Sequence, residues 1–337
     1  TYNVRRMMGA VQRSLDYYAA AFGPYQHRQV RILEFPRYAP FAQSFANTIP
    51  YSEGVGFIAR VREDEDDVDY PFYITAHEVA HQWWGHQVVG AAAAGTPLLS
   101  ESLSEYSALM VMEQRYGPRQ MRKFLKHVLD EYLQGRTFES KRETPLLYAE
   151  GQQYVHYQKG GLAFYALRDA LGEERLNAAL RGYLQRVKFQ QPPYTTSLEL
   201  YRHLQAATPD SLRPFLADLF ERITLYENRV TRARATRRPD GRYAVELTVV
   251  GRKVYADSLG NETDAPLNEW IDVGVFAAPP AGQDETAAPL YLRKHKLRSG
   301  EQTIRLLVDQ QPVRAGVDPL HKLIDRHTDD NLLRVEG

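Results

Sequence analysis

The sequence predicts an α+β protein: a mainly helical region with a small N-terminal sheet, residues 1–223, followed by a β-sandwich-like region, residues 224–337. Apolar residues recur at helical spacing through most of the chain between Phe72 and Ile223. Beyond about Thr224 they alternate with polar residues in short runs bounded by turn residues. A length of 337 residues also agrees with a prior of roughly two domains at about 150 residues each.

The individual elements follow from periodicity and from the residues that begin and end each segment. Helices are predicted at Val4–Phe22, Phe72–Val89, Thr96–Tyr116, Gln120–Leu133, Gln152–Leu171, Glu173–Val187, Ser197–Ala206 and Ser211–Ile223. Strands are predicted at Gln29–Phe35, Gly56–Val61, Arg229–Arg237, Tyr243–Val250, Trp270–Phe276, Leu290–His295 and Gln302–Val308. The acidic run Glu63–Asp69 and the Pro/Ala/Gly-rich stretch Ala277–Ala288 are interpreted as loops.

Composition excludes several classes of function. Lysine plus arginine is 42 and aspartate plus glutamate is 42, so a globally basic nucleic-acid-binding protein is not expected. There is no cysteine, which excludes disulfides, thiol nucleophiles and cysteine-ligated metals, so any metal must be bound by His, Asp or Glu. No run approaches the ~18–20 apolar residues of a membrane-spanning helix. Because the chain opens with Thr1, we expect it to be part of a longer protein.

The segment His77-Glu78-Val79-Ala80-His81 is an HExxH motif within a predicted helix. Asp69-Tyr70-Pro71 supplies a helix cap and an early proline before it. The i, i+4 spacing places both imidazoles on one face, where two neutral nitrogens can share one zinc ion. The alternative is a helix with two buried, hydrogen-bonded histidines and a surface glutamate.

A catalytic zinc site requires a third protein ligand and an open position for water. Glu101 is the best candidate because it lies in the first turn of the next predicted helix, which a short connector can fold back against His77 and His81. Glu105, one turn later on the same face, competes with it, although surface charge would explain either glutamate. His86 is rotated away from the ligand face and is interpreted as a structural or supporting residue.

The run from His77 to Gly85, followed by Leu99-Ser100-Glu101-Ser102, resembles the M1 family of zinc aminopeptidases, the gluzincins. That family has HExxH, eighteen residues, and then a glutamate in an Asn-Glu-Gly context. Here nineteen residues separate His81 from Glu101, and we expect the additional one in an altered connector around residues 91–97. The resemblance implies a thermolysin-like domain over residues 1–223 and one Zn²⁺ per chain, bound by His77, His81 and Glu101.

Two further segments carry the resemblance. Pro50–Phe57 corresponds to the family's Gly-x-Met-Glu-Asn segment, whose glutamate holds the substrate's α-amino group, and this places Glu53 in that position. Tyr157-Gln158-Lys159-Gly160 matches the family's Tyr-x-Lys-Gly segment, whose tyrosine stabilises the oxyanion. A fixed carboxylate beside an ammonium group would make the enzyme select free N-termini.

The resemblance therefore implies removal of N-terminal residues from peptides that have a free N-terminus. Zinc would activate a water molecule, with Glu78 as general base and Tyr157 as oxyanion donor. Two alternatives stay open: a non-catalytic zinc- or peptide-binding, regulatory module of a membrane transporter, and a zinc endopeptidase with an open cleft. The pattern also resembles M1-like modules fused to bacterial ABC-type permeases, which implies covalent attachment to a membrane permease in the intact protein.

Overall fold

The structure, a computed structural model, separates helices from strands along the chain and describes residues 2–62, 67–140, 142–279 and 288–337. The predicted mixture of helix and sheet is confirmed. Contacts divide the chain into two units: Thr1–Gly117, Asp130–Glu139 and Thr144–Glu221 form the first, and Pro118–Leu129, Ser140–Glu143 and Arg222–Gly337 form the second. The interpretation of residues 63–66 and 280–287 as loops lies outside the described residues.

The first unit holds the two parallel strands and most of the helices. Its strands are β1 Arg31–Phe35 and β2 Thr48–Ser52. Its helices, in chain order, are α1 Val4–Ala21, α2 Tyr70–Ala80, α3 Leu103–Tyr116, α5 Gly160–Leu171, α6 Glu173–Val187, α7 Ser197–Ala207 and α8 Arg213–Phe220. Helix α4, Met121–Thr137, has residues in both units. Two π-helical turns precede α3 and α5: the first π-turn, Leu98–Ser102, and the second π-turn, Tyr154–Lys159.

Helix α2 begins as predicted and ends earlier than predicted. The Asp69 side chain accepts a hydrogen bond from the backbone N–H of Phe72, and Pro71 occupies the first turn. The expected continuation to Val89 is wrong, because regular helix stops at Ala80. Beyond it both tryptophans are fully buried on different partners: Trp83 Nε1 donates to Gly23 O at 2.8 Å, and Trp84 Nε1 to Ser107 Oγ at 3.0 Å.

The small sheet also differs from expectation. Strand β1 is close to the predicted one, but its partner is β2, in parallel register from Arg31–Thr48 to Phe35–Ser52. The strand predicted at Gly56–Val61 is wrong, because residues 53–58 form turns. Gly56 packs so tightly on Tyr51 that an added Cβ would lie 2.5 Å from the ring.

Helix α3 is the centre of the first unit. All residues from Leu103 to Met112 are buried, and α3 packs against α2 on one side and α5 on another. Helix α5 is buried from Gly160 to Leu167. The elements that carry the candidate site residues therefore meet in the interior of one unit.

The second unit is mainly β structure, and its described residues form three sheets. Its strands are β3 Ile223–Tyr226, β4 Arg229–Arg237, β5 Tyr243–Gly251, β6 Lys253–Ala256, β7 Glu262–Ala265, β8 Asn268–Phe276, β9 Pro289–Arg298, β10 Gly300–Val308, β11 Arg314–Val317 and β12 Leu332–Arg334. The sheet orders are β10-β5-β4, β12-β11-β8-β9 and β3-β6-β7. Strand β4 contacts β11 and β12, and the buried residues of β5 alternate with half-buried ones. All five predicted strands are present, whereas β3, β6, β7, β11 and β12 were not predicted.

Candidate functional site

Helix α2 presents His77, Glu78 and His81 to the interior. His77 and Glu78 are each 6% exposed, and His81 occupies the C-cap position. The helix is fixed at its start by the Asp69 cap, and Tyr18 of α1 donates to Ala76 O at 2.9 Å. The HExxH motif thus lies on a short helix that is capped at its start and bonded to α1 at Ala76, next to His77.

Three donor atoms from α2 and the first π-turn converge on one point. His77 Nε2 and His81 Nε2 are 3.0 Å apart, and Glu101 Oε2 lies 3.3 Å from the first and 3.2 Å from the second. Tetrahedral zinc with bonds of about 2.0–2.1 Å separates its donors by about 3.3 Å, so these spacings fit that ion. Among the described residues, these three are the ones grouped closely enough to hold a metal.

The other ring nitrogens are held so that Nε2 faces the metal position. His81 Nδ1 lies 2.9 Å from Trp84 O and 3.1 Å from Ser104 Oγ. His77 Nδ1 lies 2.8 Å from Glu105 Oε1, an ion-pair distance although the ring N–H does not point straight at that oxygen. Carbonyl and carboxylate partners of this kind orient histidine ligands in metal sites.

Glu105 was expected either to compete with Glu101 as third ligand or to be a surface charge. In the structure it is neither a member of the grouped donors nor exposed. It is 8% exposed and contacts the nitrogen of His77 that faces away from the three donors. Tyr73 donates a hydrogen bond to its other oxygen. The sequence showed only its place one turn after Glu101; its contact with His77 depends on how α3 packs on α2.

The charges around the donors favour a cation. Burial lowers the pKa of His77, but the adjacent Glu105 and Glu101 carboxylates outweigh it and hold this pKa well above its usual range. Burial raises the pKa of Glu101, but hydrogen bonds from His77 and His81 outweigh it and hold this pKa well below its usual range. The carboxylates thus stabilise positive charge on the imidazoles, and a divalent ion supplies positive charge at the same place.

Glu78 lies beside this centre and is not one of the donors. Burial raises its pKa, and the nearby histidines oppose that shift. Its Oε2 is buried without a hydrogen-bond partner among the described residues. A buried carboxylate oxygen without a partner is uncommon unless a ligand or water completes it.

Glu101 lies within the first π-turn and is grouped with the two histidines, although nineteen residues separate it from His81. A π-helical turn holds more residues than an α-helical turn, because its hydrogen bonds span five residues. The expectation that the additional residue between His81 and Glu101 lies around residues 91–97 stays a prediction, and the π-turn at Leu98–Ser102 presents Glu101 inward.

Tyr157 lies in the second π-turn and faces the same centre. Its ring centroid is 5.7 Å from that of His77 and 4.8 Å from that of His156. Burial, and then the neighbouring Glu101 carboxylate, raise the pKa of Tyr157 far above its usual value. The hydroxyl therefore keeps its proton at neutral pH and is able to donate a hydrogen bond.

Glu53 lies in the turn that follows β2. Its Oε1 accepts a hydrogen bond from the Arg37 backbone N–H at 3.2 Å. The end of β2 rests on α2, since Tyr51 OH lies 3.5 Å from Thr75 Oγ1. Glu53 is thus at the end of a strand that packs on the motif helix, but it is not one of the three grouped donors.

His86 lies outside the centre. Its Nε2 is 3.2 Å from Ser44 O, so it supports the segment before β2. Burial lowers its pKa. These contacts agree with the structural interpretation of this histidine.

Comparison with known proteins gives consistent results for the family. The model of the peptidase family M1 domain matches residues 6–219, which is more than half of the chain. Human endoplasmic reticulum aminopeptidase 2 is 26% identical over 183 residues, 52% of this chain and 19% of the relative. Putative aminopeptidase-2 of Caenorhabditis elegans is 29% identical over 119 residues, 34% of this chain and 6% of the relative. The chain therefore spans a small part of the length of either relative.

A solved structure shares the fold. Legionella pneumophila aminopeptidase A, solved in complex with aspartic acid, superposes with a TM-score of 0.54 at 16% identity over 95% of this chain and 34% of that chain. No helix among the described residues is both long and apolar enough to cross a lipid bilayer. The His-His-Glu donor set and the family match together identify zinc as the metal. By the match over residues 6–219, this chain belongs to peptidase family M1.

Proposed function

We propose that the protein hydrolyses peptide bonds with the help of zinc and removes residues from peptides with a free N-terminus. The observation that carries this proposal is the convergence of His77, His81 and Glu101 at tetrahedral spacing beside the unpartnered oxygen of Glu78. When bound, zinc would supply Lewis-acid polarisation of a water molecule and of the scissile carbonyl.

Glu78 acts as the general base. Its free Oε2 accepts a proton from the attacking water and delivers it to the leaving amine nitrogen. A raised pKa suits this role because the group must hold the proton between the two transfers. The same carboxyl is excluded from the donor set, so it is available for proton transfer.

Tyr157 donates a hydrogen bond to the oxygen that becomes negatively charged as the carbonyl is attacked. A donor placed for that charge is worth about 3–4 kcal/mol in the barrier. The raised pKa supports this role, because an ionised tyrosine would repel the oxyanion. The distance of 5.7 Å between the ring centroids of Tyr157 and His77 supports this role.

Glu53 pairs with the substrate's α-amino group and so selects free N-termini. Its position at the end of β2, which packs on α2, supports this role. Two relatives are named aminopeptidases, which supports the selection of free N-termini.

At the level of the fold, we propose a thermolysin-like arrangement for residues 1–223 and a β-sandwich for residues 224–337. Attachment to a membrane permease stays a proposal from the sequence resemblance.

The test is a panel of short peptides with free or acetylated N-termini, each incubated with the zinc-loaded protein and with a chelator. We expect chelator-sensitive cleavage restricted to free N-termini. Equal cleavage of both series would indicate an endopeptidase and would remove the role of Glu53. Stoichiometric zinc binding without any cleavage would contradict the proposal and favour a binding module.

A further inference from the structure

The two π-turns that carry Glu101 and Tyr157 pack against each other. The first π-turn ends at Ser102, and the second π-turn is followed at once by Gly160. Contacts between the two turns, and between the first turn and α5, bring these segments together. A metal donor and the proposed oxyanion donor therefore sit on adjacent, irregular turns of two different helices.

One side-chain hydrogen bond joins the two turns. Ser102 Oγ donates to the carbonyl oxygen of His156 at 2.6 Å, and Ser102 is fully buried. His156 directly precedes Tyr157. The acceptor of this bond and the proposed oxyanion donor are thus neighbours in the backbone of the second π-turn.

Gly160 makes this approach sterically feasible. An added Cβ at Gly160 would lie 2.5 Å from Cβ and 3.1 Å from Cα of Ser102, closer than real contacts allow. The glycine of the Tyr-x-Lys-Gly segment therefore allows Ser102 to reach the carbonyl of His156. The hydrogen bond of Ser102 thus depends on the absence of a side chain at Gly160.

Ser102 directly follows the metal-donor glutamate in the run Ser100-Glu101-Ser102, so its hydrogen bond connects the backbone next to Glu101 with the backbone next to Tyr157. A hydroxyl that spans two elements in a dry interior restricts their relative movement more than apolar contact alone.

We propose that Ser102 is a positioning residue that fixes Tyr157 relative to Glu101, and hence the proposed oxyanion donor relative to the metal donors. This inference rests on the proposed function. Ser102 acts through its hydrogen bond to the backbone at His156 and is not among the three grouped donor residues. Its effect should therefore appear only in steps that need Tyr157.

The decisive variant is Ser102→Ala, with Ser197→Ala as matched control. Ser197 Oγ, at the start of α7, donates to Leu147 O at 2.9 Å. Gly95 packs closely against Ser197, as Gly160 packs closely against Ser102. Both changes delete one buried, long-range hydroxyl–carbonyl bond, so both should lower the thermal unfolding midpoint to a similar extent. We expect only Ser102→Ala to lower kcat, by about tenfold, with KM and zinc affinity within about twofold of wild type.

A double-mutant cycle separates positioning from general weakening. If Ser102 acts through Tyr157, Ser102→Ala should add less than about twofold to the loss already caused by Tyr157→Phe. Full multiplication of the two losses would overturn the proposal, as would an unchanged kcat in Ser102→Ala.

A second readout does not depend on turnover. Amide hydrogen exchange over residues 154–161 should be faster in Ser102→Ala than in wild type and unchanged in Ser197→Ala. Unchanged exchange in both variants would overturn the proposal. A wild-type protein that cleaves no peptide would instead contradict the proposed function, and the exchange measurement alone would then decide whether Ser102 holds the two turns together.

Discussion

Glu78 and Glu105 are both buried at the site, but their surroundings give them different tasks. Glu78 has an oxygen without a partner among the described residues, whereas Glu105 has His77 on one oxygen and Tyr73 on the other. Proton transfer needs a carboxylate oxygen that is free to accept the proton. Orienting an imidazole needs a carboxylate oxygen that is in contact with its ring nitrogen. Amide substitution distinguishes these tasks, because it keeps the shape and removes the charge.

Glu78→Gln should lower kcat by about 10²- to 10⁴-fold while zinc stays bound at one ion per chain. The amide cannot accept the proton of water, but the three donors are untouched. Steady-state kinetics and metal analysis of the same sample test this. A variant that retains the wild-type rate would disprove the general-base role.

Glu105→Gln should weaken zinc binding by about 10- to 100-fold, because the partner of His77 loses its charge. Glu113→Gln is the control: Glu113 lies on the same helix and accepts a hydrogen bond from Tyr165 at 2.7 Å, but it pairs with Arg168. Competition with a chromophoric chelator measures both affinities. Equal zinc affinity in the two variants would show that Glu105 does not support the ligand.

At the scale of elements, the site depends on how closely α5 approaches α3 and the first π-turn. Gly161 of α5 lies near Glu105, where an added Cβ would be 3.3 Å from its Cβ, and Gly160 lies against Ser102. Side chains at these two positions would push α5 away from α3. The glycine pair thus determines the distance between the second π-turn and the metal donors.

Gly160→Ala should therefore destabilise the protein by about 1–3 kcal/mol and lower kcat, since a methyl group has no space there. Gly182→Ala in α6 is the matched control, because nothing lies within 4 Å of its added Cβ. That control should be stabilised by about 0.4–1 kcal/mol, because alanine loses less conformational freedom on folding. Thermal unfolding and kinetics measure both. Comparable stability of the two variants would contradict the close-packing argument.

Local signals predicted the elements well where local forces decide them. The cap at Asp69, helix α6 and strand β4 have the predicted starts, because capping and periodicity act within a few residues. The end of α2 and the parallel pairing of β1 with β2 were missed, because burial of Trp83 and Trp84 and contacts between distant segments determine them. Motif spacing likewise predicted the three grouped donors. The contact of Glu105 with His77 and the hydrogen bond of Ser102 to His156 were not predicted, because they depend on the packing of segments that are distant in sequence.

At the scale of the whole molecule, the second unit contains buried acids far in sequence from the site. Asp318 is 2% exposed and accepts hydrogen bonds from the backbone of Lys322 at 2.9 Å and Leu323 at 3.0 Å. Burial, with further contributions from Asp325 and Asp272, raises the pKa of Asp318 to about 8. Burial likewise raises the pKa of Asp325 to about 7. Both carboxyls are more easily protonated in the folded than in the unfolded chain.

The free energy of unfolding should therefore fall as pH rises. Between the unfolded pKa of 3.8 and the folded pKa of about 8, the unfolded chain ionises Asp318 while the folded chain keeps the proton, so folding is favoured at the acid end of this window. Asp318→Asn removes the part of this dependence that Asp318 contributes, while the part from Asp325 stays. Urea unfolding at about pH 5 and about pH 9 should show wild type losing stability relative to the variant. If the free energy of unfolding changed equally with pH in wild type and Asp318→Asn, the Asp318 carboxyl would have the same pKa in the folded and the unfolded chain.

The spacing between His81 and Glu101 has a consequence for how chains of this kind are found. Inside a continuous α-helix one more residue would rotate every later side chain by about 100°, but regular helix is interrupted between Ala80 and Leu98. Glu101 therefore groups with His77 and His81 although nineteen residues separate it from His81. A pattern search that demands a fixed number of residues between the second histidine and the glutamate would pass over this protein. A search that asks which helical face each donor occupies would retain it.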